Sequence, residues 1–321
     1  MTKIPHILSI GAATQDIFLK GDAFKPWKHR GVEYERLPLG SKLEVEDIMF
    51  STGGGACNAA VTFARQGLHS MFMGTIADDT AGHAVLRALD DENVDTSHIS
   101  YDQKYATGYS TILLAPSGER TVMVYRGASQ HYQKRHFNLQ HVVADWLYIS
   151  SMGGSMEVLE SIVSQAHERG IKVAWNPGSG ELKYPEKCKA LLEDVDLISL
   201  NKEEMQLLVE GTTAEELARH AMHYVSTVIV SDGPNGAVAT DGKTIVKAGM
   251  YEDVKVVDRL GAGDAFGSGF VSRIAQGRPL EEAVSFASAN STSVVQQIGA
   301  KTGILHADYK IHDMPLEVNA F

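Results

Sequence analysis

Short apolar runs alternate with longer helical patterns along most of this chain, and that alternation constrains its fold more than any other feature. Residues 6–10, 71–74, 146–149, 173–175, 195–200 and 227–230 read as short buried strands. Most are followed or preceded by segments of helical period, at 56–66, 80–91, 156–169, 214–224 and 281–297. Apolar strands of this kind need both faces covered, and helices between successive strands make those strands parallel. The expectation is an α/β fold: a parallel sheet with helices on both faces.

Two segments break the rhythm. Residues 17–52 carry no helical pattern but contain Pro26, Trp27, Pro38 and an alternating stretch at 42–46. Residues 107–127 read as a hairpin, β-branched and aromatic on either side of Pro116, Ser117 and Gly118. A small β-lobe beside the main sheet is expected; a pair of decorated loops is the plainer alternative.

Composition narrows the function. With 321 residues, 44% hydrophobic and 21% charged, the chain can bury a large core and is not of disordered type. Its 40 acidic and 29 basic residues, a net charge of -11, weigh against a dedicated nucleic-acid binder. Cys57 and Cys188 cannot build a disulfide framework and suit a reducing compartment. No apolar stretch approaches the ~20 residues of a spanning helix, and the first residues do not pattern as a signal peptide. A soluble cytoplasmic protein is expected, with neither membrane nor nucleic acid as a partner.

The densest chemical signal runs from Asp258 to Phe270, with Gly261, Ala262, Gly263 and Asp264 at its centre. A strand-like segment at 254–257 enters it, and a helical pattern with Phe266, Phe270, Val271 and Ile274 leaves it. Small residues there let backbone N–H groups converge at a helix N-terminus, which favours anions. Asp264, in the first turn, can take a proton from a hydroxyl attacking a phosphoryl group. A glycine turn with an ordinary acidic cap is the plainer reading. No Gly-Lys-Ser/Thr follows, so this is not a P-loop, and Phe266 takes the third-glycine place of a dinucleotide fingerprint. Serine-hydrolase and zincin motifs are absent from the sequence.

Four further signals accompany it. Gly53, Gly54 and Gly55 precede Asn58 at the start of the 56–66 pattern. Glycines admit close backbone approach and an amide offers donor and acceptor, which suits a polyhydroxylated ligand or merely a tight turn. Asp16 follows the first strand, at the carboxyl end where open α/β sheets bind ligands, although a lone Asp there is commonly a turn residue. Asn201 and Glu204 lie three apart after a strand and can hold the hydration shell of Mg²⁺ or cap a helix. Ser231, Gly233 and Gly236 follow another strand, as a plain turn or a loop along nucleotide phosphates.

Taken in this order, the five signals resemble the PfkB (ribokinase-like) family of small-molecule kinases, from Ile7 to about Ile304. The two glycine motifs match the family's two signatures, and Asn201 with Glu204 resembles its N-x-x-E motif. Asn176-Pro177 and Gly299-Ala300 fall where the family has similar pairs. The resemblance implies a ribokinase-like three-layer α/β/α sandwich with a small β-sheet lid. The core would comprise 1–16, 53–106 and 128–321, and the lid 17–52 and 107–127. It implies ATP-dependent phosphorylation of a hydroxymethyl group on a sugar or nucleoside. Asp264 would be the base, and the backbone of Gly261, Ala262 and Gly263 the anion hole. Asp16, Gly53, Gly54 and Asn58 would hold acceptor hydroxyls. Asn201, Ser231, Gly233 and Gly236 would serve the nucleotide, with Arg259 a charge for its phosphates and Ser288 or Asn290 near its base. Glu204 would hold Mg²⁺ through water. Asp258 and the Gly299-Ala300 region match places where some members bind a monovalent cation, so K⁺ is a further expectation. Lids in this family often pair between subunits, which implies a homodimer.

The chain departs from the family pattern in three places. Arg259 and Leu260 stand where a hydroxyl residue is usual, and Gly55 replaces the lysine typical of ribokinases. The carboxylate that ribokinases place after a middle strand is not found at 150–152. A nucleoside kinase would want aromatic or apolar lid residues, for which Phe18, Trp27, Tyr109 and Tyr125 are candidates. A phosphosugar kinase would want Arg120 or Arg126 in the acceptor pocket. A non-catalytic sugar- or nucleotide-binding module is the reading from another class.

Overall fold

The computed structural model describes residues 3–116, 119–251 and 254–321. In chain order the amino-terminal half holds β1 (His6–Ile10), β2 (Thr14–Lys20), β3 (Trp27–His29), β4 (Val32–Tyr34), β5 (Asp47–Gly53) and α1 (Gly55–Arg65). There follow β6 (His69–Met73), β7 (Thr75–Ala77), α2 (Thr80–Asp90), β8 (Ser100–Asp102), β9 (Gly108–Leu114) and β10 (Arg120–Tyr125). The middle holds β11 (Trp146–Ile149), α3 (Met156–Glu168), β12 (Lys172–Trp175), α4 (Pro185–Leu192), β13 (Leu197–Asn201) and α5 (Lys202–Met205). The remainder is α6 (Ala214–Ala221), β14 (Thr227–Ser231), β15 (Ala237–Thr240), β16 (Thr244–Ala248), α7 (Ala262–Ala275), α8 (Leu280–Val295) and β17 (Leu316–Ala320).

The main sheet runs β17-β16-β15-β14-β13-β12-β11-β1-β6. From β6 to β14 neighbours are parallel, as the helical crossovers require. Beyond β14 the strands turn antiparallel, because short turns rather than helices join β14 to β15 and β15 to β16. The sheet is therefore mixed, not parallel throughout. Alternate residues of each strand enter opposite cores. Leu8, Ile149, Trp175 and Val230 pack with Leu159 and Ile162 of α3 and Leu217 of α6. Ile7, Tyr148, Ala174 and Ile229 pack with Phe63 of α1, Phe266 and Phe270 of α7 and Val284 of α8. This is the three-layer α/β/α sandwich.

Segment 254–257 is not a strand. Val257 and Asp258 donate their N–H groups to the Val295 carbonyl at 2.7 and 3.2 Å, so the segment runs along the end of α8 instead of a sheet edge. Among the described residues no helix is long and apolar enough to cross a membrane.

A second, four-stranded sheet has the order β10-β9-β2-β5. Its strands come from the two segments that lacked helical period, but it starts earlier than residue 17. β2 begins at Thr14, so Asp16 is a strand residue and not part of a turn after β1. Gly53 likewise ends β5. Register places Asp16 beside Ser110, and Ser110 beside Val124, on one face of this sheet. Ile17, Thr111, Met123 and Phe50 share the other face. The turn read at Pro116, Ser117 and Gly118 falls partly outside the described residues, since 117 and 118 are not among them. β3 and β4 form a separate, exposed hairpin.

Candidate active site

Strand β1 lies between β6 and β11, so the chain leaves its carboxyl end where the order of the parallel sheet reverses. Ligand clefts in open α/β sheets form at such points. Here a cleft of about 350 Å³ lies between the main and small sheets. Two glycines shape its rim. Gly54 has φ 94° and its α-carbon faces the Ala12 and Ala13 backbone with no room for a side chain, so the loop into α1 lies directly on the end of β1. Gly261 has φ 77°, caps α7 and packs against Ala300 in the same way.

These turns bring Asp264, in the first turn of α7, to Asn58, in the first turn of α1. Asn58 Nδ2 donates to Asp264 Oδ2 at 2.8 Å. Burial pushes the Asp264 carboxyl above the usual range, and the Asn58 hydrogen bond opposes this. Asn58 Oδ1 is buried and unpartnered, an acceptor aimed at no protein donor. Asp16 also lines the cleft, 4% exposed, and accepts from Thr14 Oγ1 at 3.1 Å. Burial raises its pKa, while hydrogen bonds from Ser110 and Thr14 and the charge of Lys301 hold it back. Gly53, Gly54, Glu204 and Gly261 also line the cleft, as do Asn176, Pro177 and Ala300 of the two further pairs.

The Asn201–Glu204 pair proves to be a capping box. Asn201 Oδ1 accepts from the Glu204 N–H at 2.8 Å, and Glu204 Oε2 accepts from the Asn201 N–H at 3.1 Å. The Asn201 oxygen is thus engaged with the helix and is not turned to a ligand. Glu204 still faces the cleft. Burial raises its pKa, the Asn201 backbone opposes that, and the charges of Glu203 and Asp264 add to it.

Other expectations need correction. The Ala262 N–H turns back to the Arg259 carbonyl at 3.3 Å. The first-turn donors that helix geometry leaves without carbonyl partners are then those of Gly263 and Asp264. Asn290 is fully buried: Nδ2 donates to the Ala265 carbonyl at 2.8 Å and Oδ1 accepts from the Leu305 N–H at 2.9 Å. It joins α7, α8 and the following loop and has no atom to offer a nucleotide base. Ser288 is a buried residue of α8, and Arg259 is exposed beside the α7 turn. Ser231 ends β14 opposite Asn201 in register, Gly233 and Gly236 belong to the turn that follows, and none of the three lines the cleft. Asp258 is buried, with both oxygens accepting backbone N–H groups, of Leu260 at 3.0 Å and Gly299 at 3.1 Å. Arg120 pairs with it at 3.5 Å and is not in the acceptor cleft, whereas Arg126 is.

Two residues were not anticipated. Glu181 is fully buried, and its carboxylate accepts from Ser151 Oγ at 3.0 Å and the N–H groups of Met152, Gly154 and Gly178 at 2.8, 2.7 and 2.8 Å. A carboxylate from the segment after β12 thus holds the loop after β11, with both oxygens engaged by protein donors. Lys301 is buried, with Nζ donating to Thr52 Oγ1 and, at 3.4 Å, to Cys57 Sγ. Gly299-Ala300 marks the neighbourhood of Lys301, but no local motif marks Glu181.

Comparison with known proteins identifies the family and the fold. The family model described as pfkB family carbohydrate kinase matches residues 25–307. A ribokinase of Haemophilus influenzae is 28% identical over 275 residues, covering 83% of this chain and 88% of that protein. A probable chloroplastic fructokinase-6 of Arabidopsis thaliana is 28% identical over 272 residues, covering 77% and 70%. Among solved structures, Arabidopsis thaliana ribokinase complexed with ribose and ATP superposes with a TM-score of 0.78 at 21% identity, over 95% of this chain and 97% of that one. A Methanocaldococcus jannaschii nucleoside kinase gives 0.77 at 21%, over 95% and 96%. The chain belongs to the pfkB family of carbohydrate kinases, as a sugar or nucleoside kinase of ribokinase-like fold.

Proposed function

We propose that this kinase transfers the terminal phosphoryl group of ATP to a hydroxymethyl group of a sugar, with Asp264 as general base. The observation that carries the proposal is the Asn58–Asp264 hydrogen bond at the N-terminus of α7, inside the cleft that Asp16 also lines. A carboxylate whose pKa is raised by burial is a better proton acceptor than an ordinary one. The amide holds it at one geometry until an acceptor hydroxyl arrives. The Gly263 and Asp264 N–H groups, at the positive end of α7, would stabilise charge on the transferring group.

Asp16, the free Asn58 oxygen and the glycine backbone at Gly53 and Gly54 offer acceptors to sugar hydroxyls. Ile112, Val122 and Val124 of the small sheet line the cleft as well, and would exclude water as a lid. A sugar is favoured over a nucleoside because none of the candidate aromatic residues lines the cleft. Phe18 is buried in the lid contact, Trp27 is on the exposed β3–β4 hairpin, and Tyr109 and Tyr125 pair in register on the lid face away from Asp16.

Mg²⁺ fits this site: the half-buried Glu204 carboxylate borders the cleft near Asp264 and would hold the ion through water. When bound, the ion would neutralise charge on the phosphates. The outer lid face, with Ile48, Phe50, Met123 and Tyr125 exposed, suits a second copy of the chain, giving a homodimer. The two buried free cysteines fit a cytoplasmic setting.

The test is coupled ADP production over a panel of sugars, phosphosugars and nucleosides. Mg²⁺-dependent turnover with a free sugar is expected. Asp264→Asn should lower it by about three orders of magnitude while nucleotide still binds. Turnover near wild type in that variant would remove Asp264 from its role, and nucleotide binding without turnover on any acceptor would favour a non-catalytic module.

A further inference from the structure

Arg120 opens β10 of the small sheet and reaches out of that sheet to the main body. Its Nη1 lies 3.5 Å from Asp258 Oδ1; the guanidinium side chain is 24% exposed and the carboxylate side chain 1%. Asp258 ties together the two loops that flank the start of α7, through the Leu260 and Gly299 N–H groups. Those loops touch each other where Gly261 packs against Ala300. Phe18, Ile112 and Leu114 of the small sheet pack with Leu260 and Ile298 of the same two loops. The small sheet is therefore seated on these loops by an apolar contact and by the Arg120–Asp258 ion pair.

A buried carboxylate needs compensating charge as well as hydrogen bonds. The resemblance places a monovalent cation at this carboxylate in some family members. In this chain a guanidinium stands there instead, and both oxygens already hold backbone donors. A cation and Arg120 would compete for the same charge, so the residues present do not fit a bound K⁺.

We propose that Arg120 is a positioning residue that replaces a bound monovalent cation: with the small sheet seated, its guanidinium neutralises Asp258 and so fixes the Leu260 and Gly299 loops around the N-terminus of α7. This rests on the kinase reading above. Closing the small sheet over the acceptor and completing the phosphoryl site are then a single event, because the compensating charge travels on the small sheet.

The experiment compares K⁺, Na⁺ and tetramethylammonium chlorides at equal ionic strength, by turnover and by melting temperature. Wild type is expected to show neither quantity changing with the cation. Arg120→Ala should lose about tenfold in kcat, less than the loss of an oxyanion donor, with KM for ATP little changed. Arg120→Lys should retain part of the lost kcat. Added guanidinium ion should restore turnover and raise the melting temperature of Arg120→Ala while leaving wild type unaffected. A wild-type requirement for K⁺, or a K⁺-dependent rise in its melting temperature, would overturn the proposal. So would wild-type kcat in Arg120→Ala, or an equal loss in both variants with no guanidinium rescue. Should Arg120→Ala not fold, the wild-type cation comparison still decides. If wild type phosphorylates nothing, the kinase reading fails, and the melting temperatures still test whether Asp258 takes up K⁺.

Discussion

Asn58 and Asp264, 206 residues apart, share a 2.8 Å hydrogen bond that joins the first turn of α1 to the first turn of α7. The carboxylate in this bond is held above its ordinary pKa by burial. Such an acid binds more protons folded than unfolded between the two pKa values. Stability therefore falls as pH rises through that window, and the cost persists above it. Asp264→Asn carries no such cost. The variant should melt higher than wild type at neutral pH, and the gap should close below the ordinary carboxylate range. Melting curves against pH check this; a gap that widens toward acid would show that the buried charge is not what the fold opposes.

Glu181 gives the opposite case, a buried carboxylate surrounded by donors. It accepts from Ser151 Oγ and from the Met152, Gly154 and Gly178 N–H groups. Ser151, Gly153 and Gly178 line the cleft, so this carboxylate holds the cleft wall in place. Glu181→Gln substitutes an NH₂ group for one oxygen and sets it against N–H donors. The expected cost is about 3 kcal/mol by urea unfolding, with KM for the acceptor raised more than KM for ATP. Equal shifts in the two constants would remove its influence on the acceptor wall.

Legibility in the sequence followed the range of the interaction. The buried strands could be read because both faces are covered, which makes each run apolar. Asp264 and Asn58 could be read because glycines mark their positions locally, whereas Asp16, read as following the first strand, lies within β2. Glu181 could not, since three of its four donors come from the loop after β11 and nothing in its own segment marks it. Arg120 is an acceptor-pocket candidate in the sequence only because a phosphosugar would need a cation there, and nothing local marks its pairing with the distant Asp258. Asn201 shows the limit of a local motif. The spacing that resembles a metal motif is also the spacing of a capping box, and only the geometry showed its oxygen engaged with the helix.

Lys301 connects the acceptor side of the cleft to a buried charge. Its Nζ donates to Thr52 Oγ1 and Cys57 Sγ, and its charge draws the Asp16 pKa down against the rise that burial imposes. Lys301→Met keeps much of the apolar stem and removes the charge. The Asp16 pKa should then rise further, leaving less of the carboxylate ionised at a given acid pH. If ionised Asp16 binds the acceptor hydroxyls, the acid limb of kcat/KM for the sugar moves to higher pH in the variant. KM for ATP should be nearly unchanged, because Lys301 and Asp16 both lie on the acceptor side. The measurement is kcat/KM against pH for both proteins. An acid limb that stays in place would separate Lys301 from Asp16 and leave the lysine a role in packing the Thr52 strand end alone.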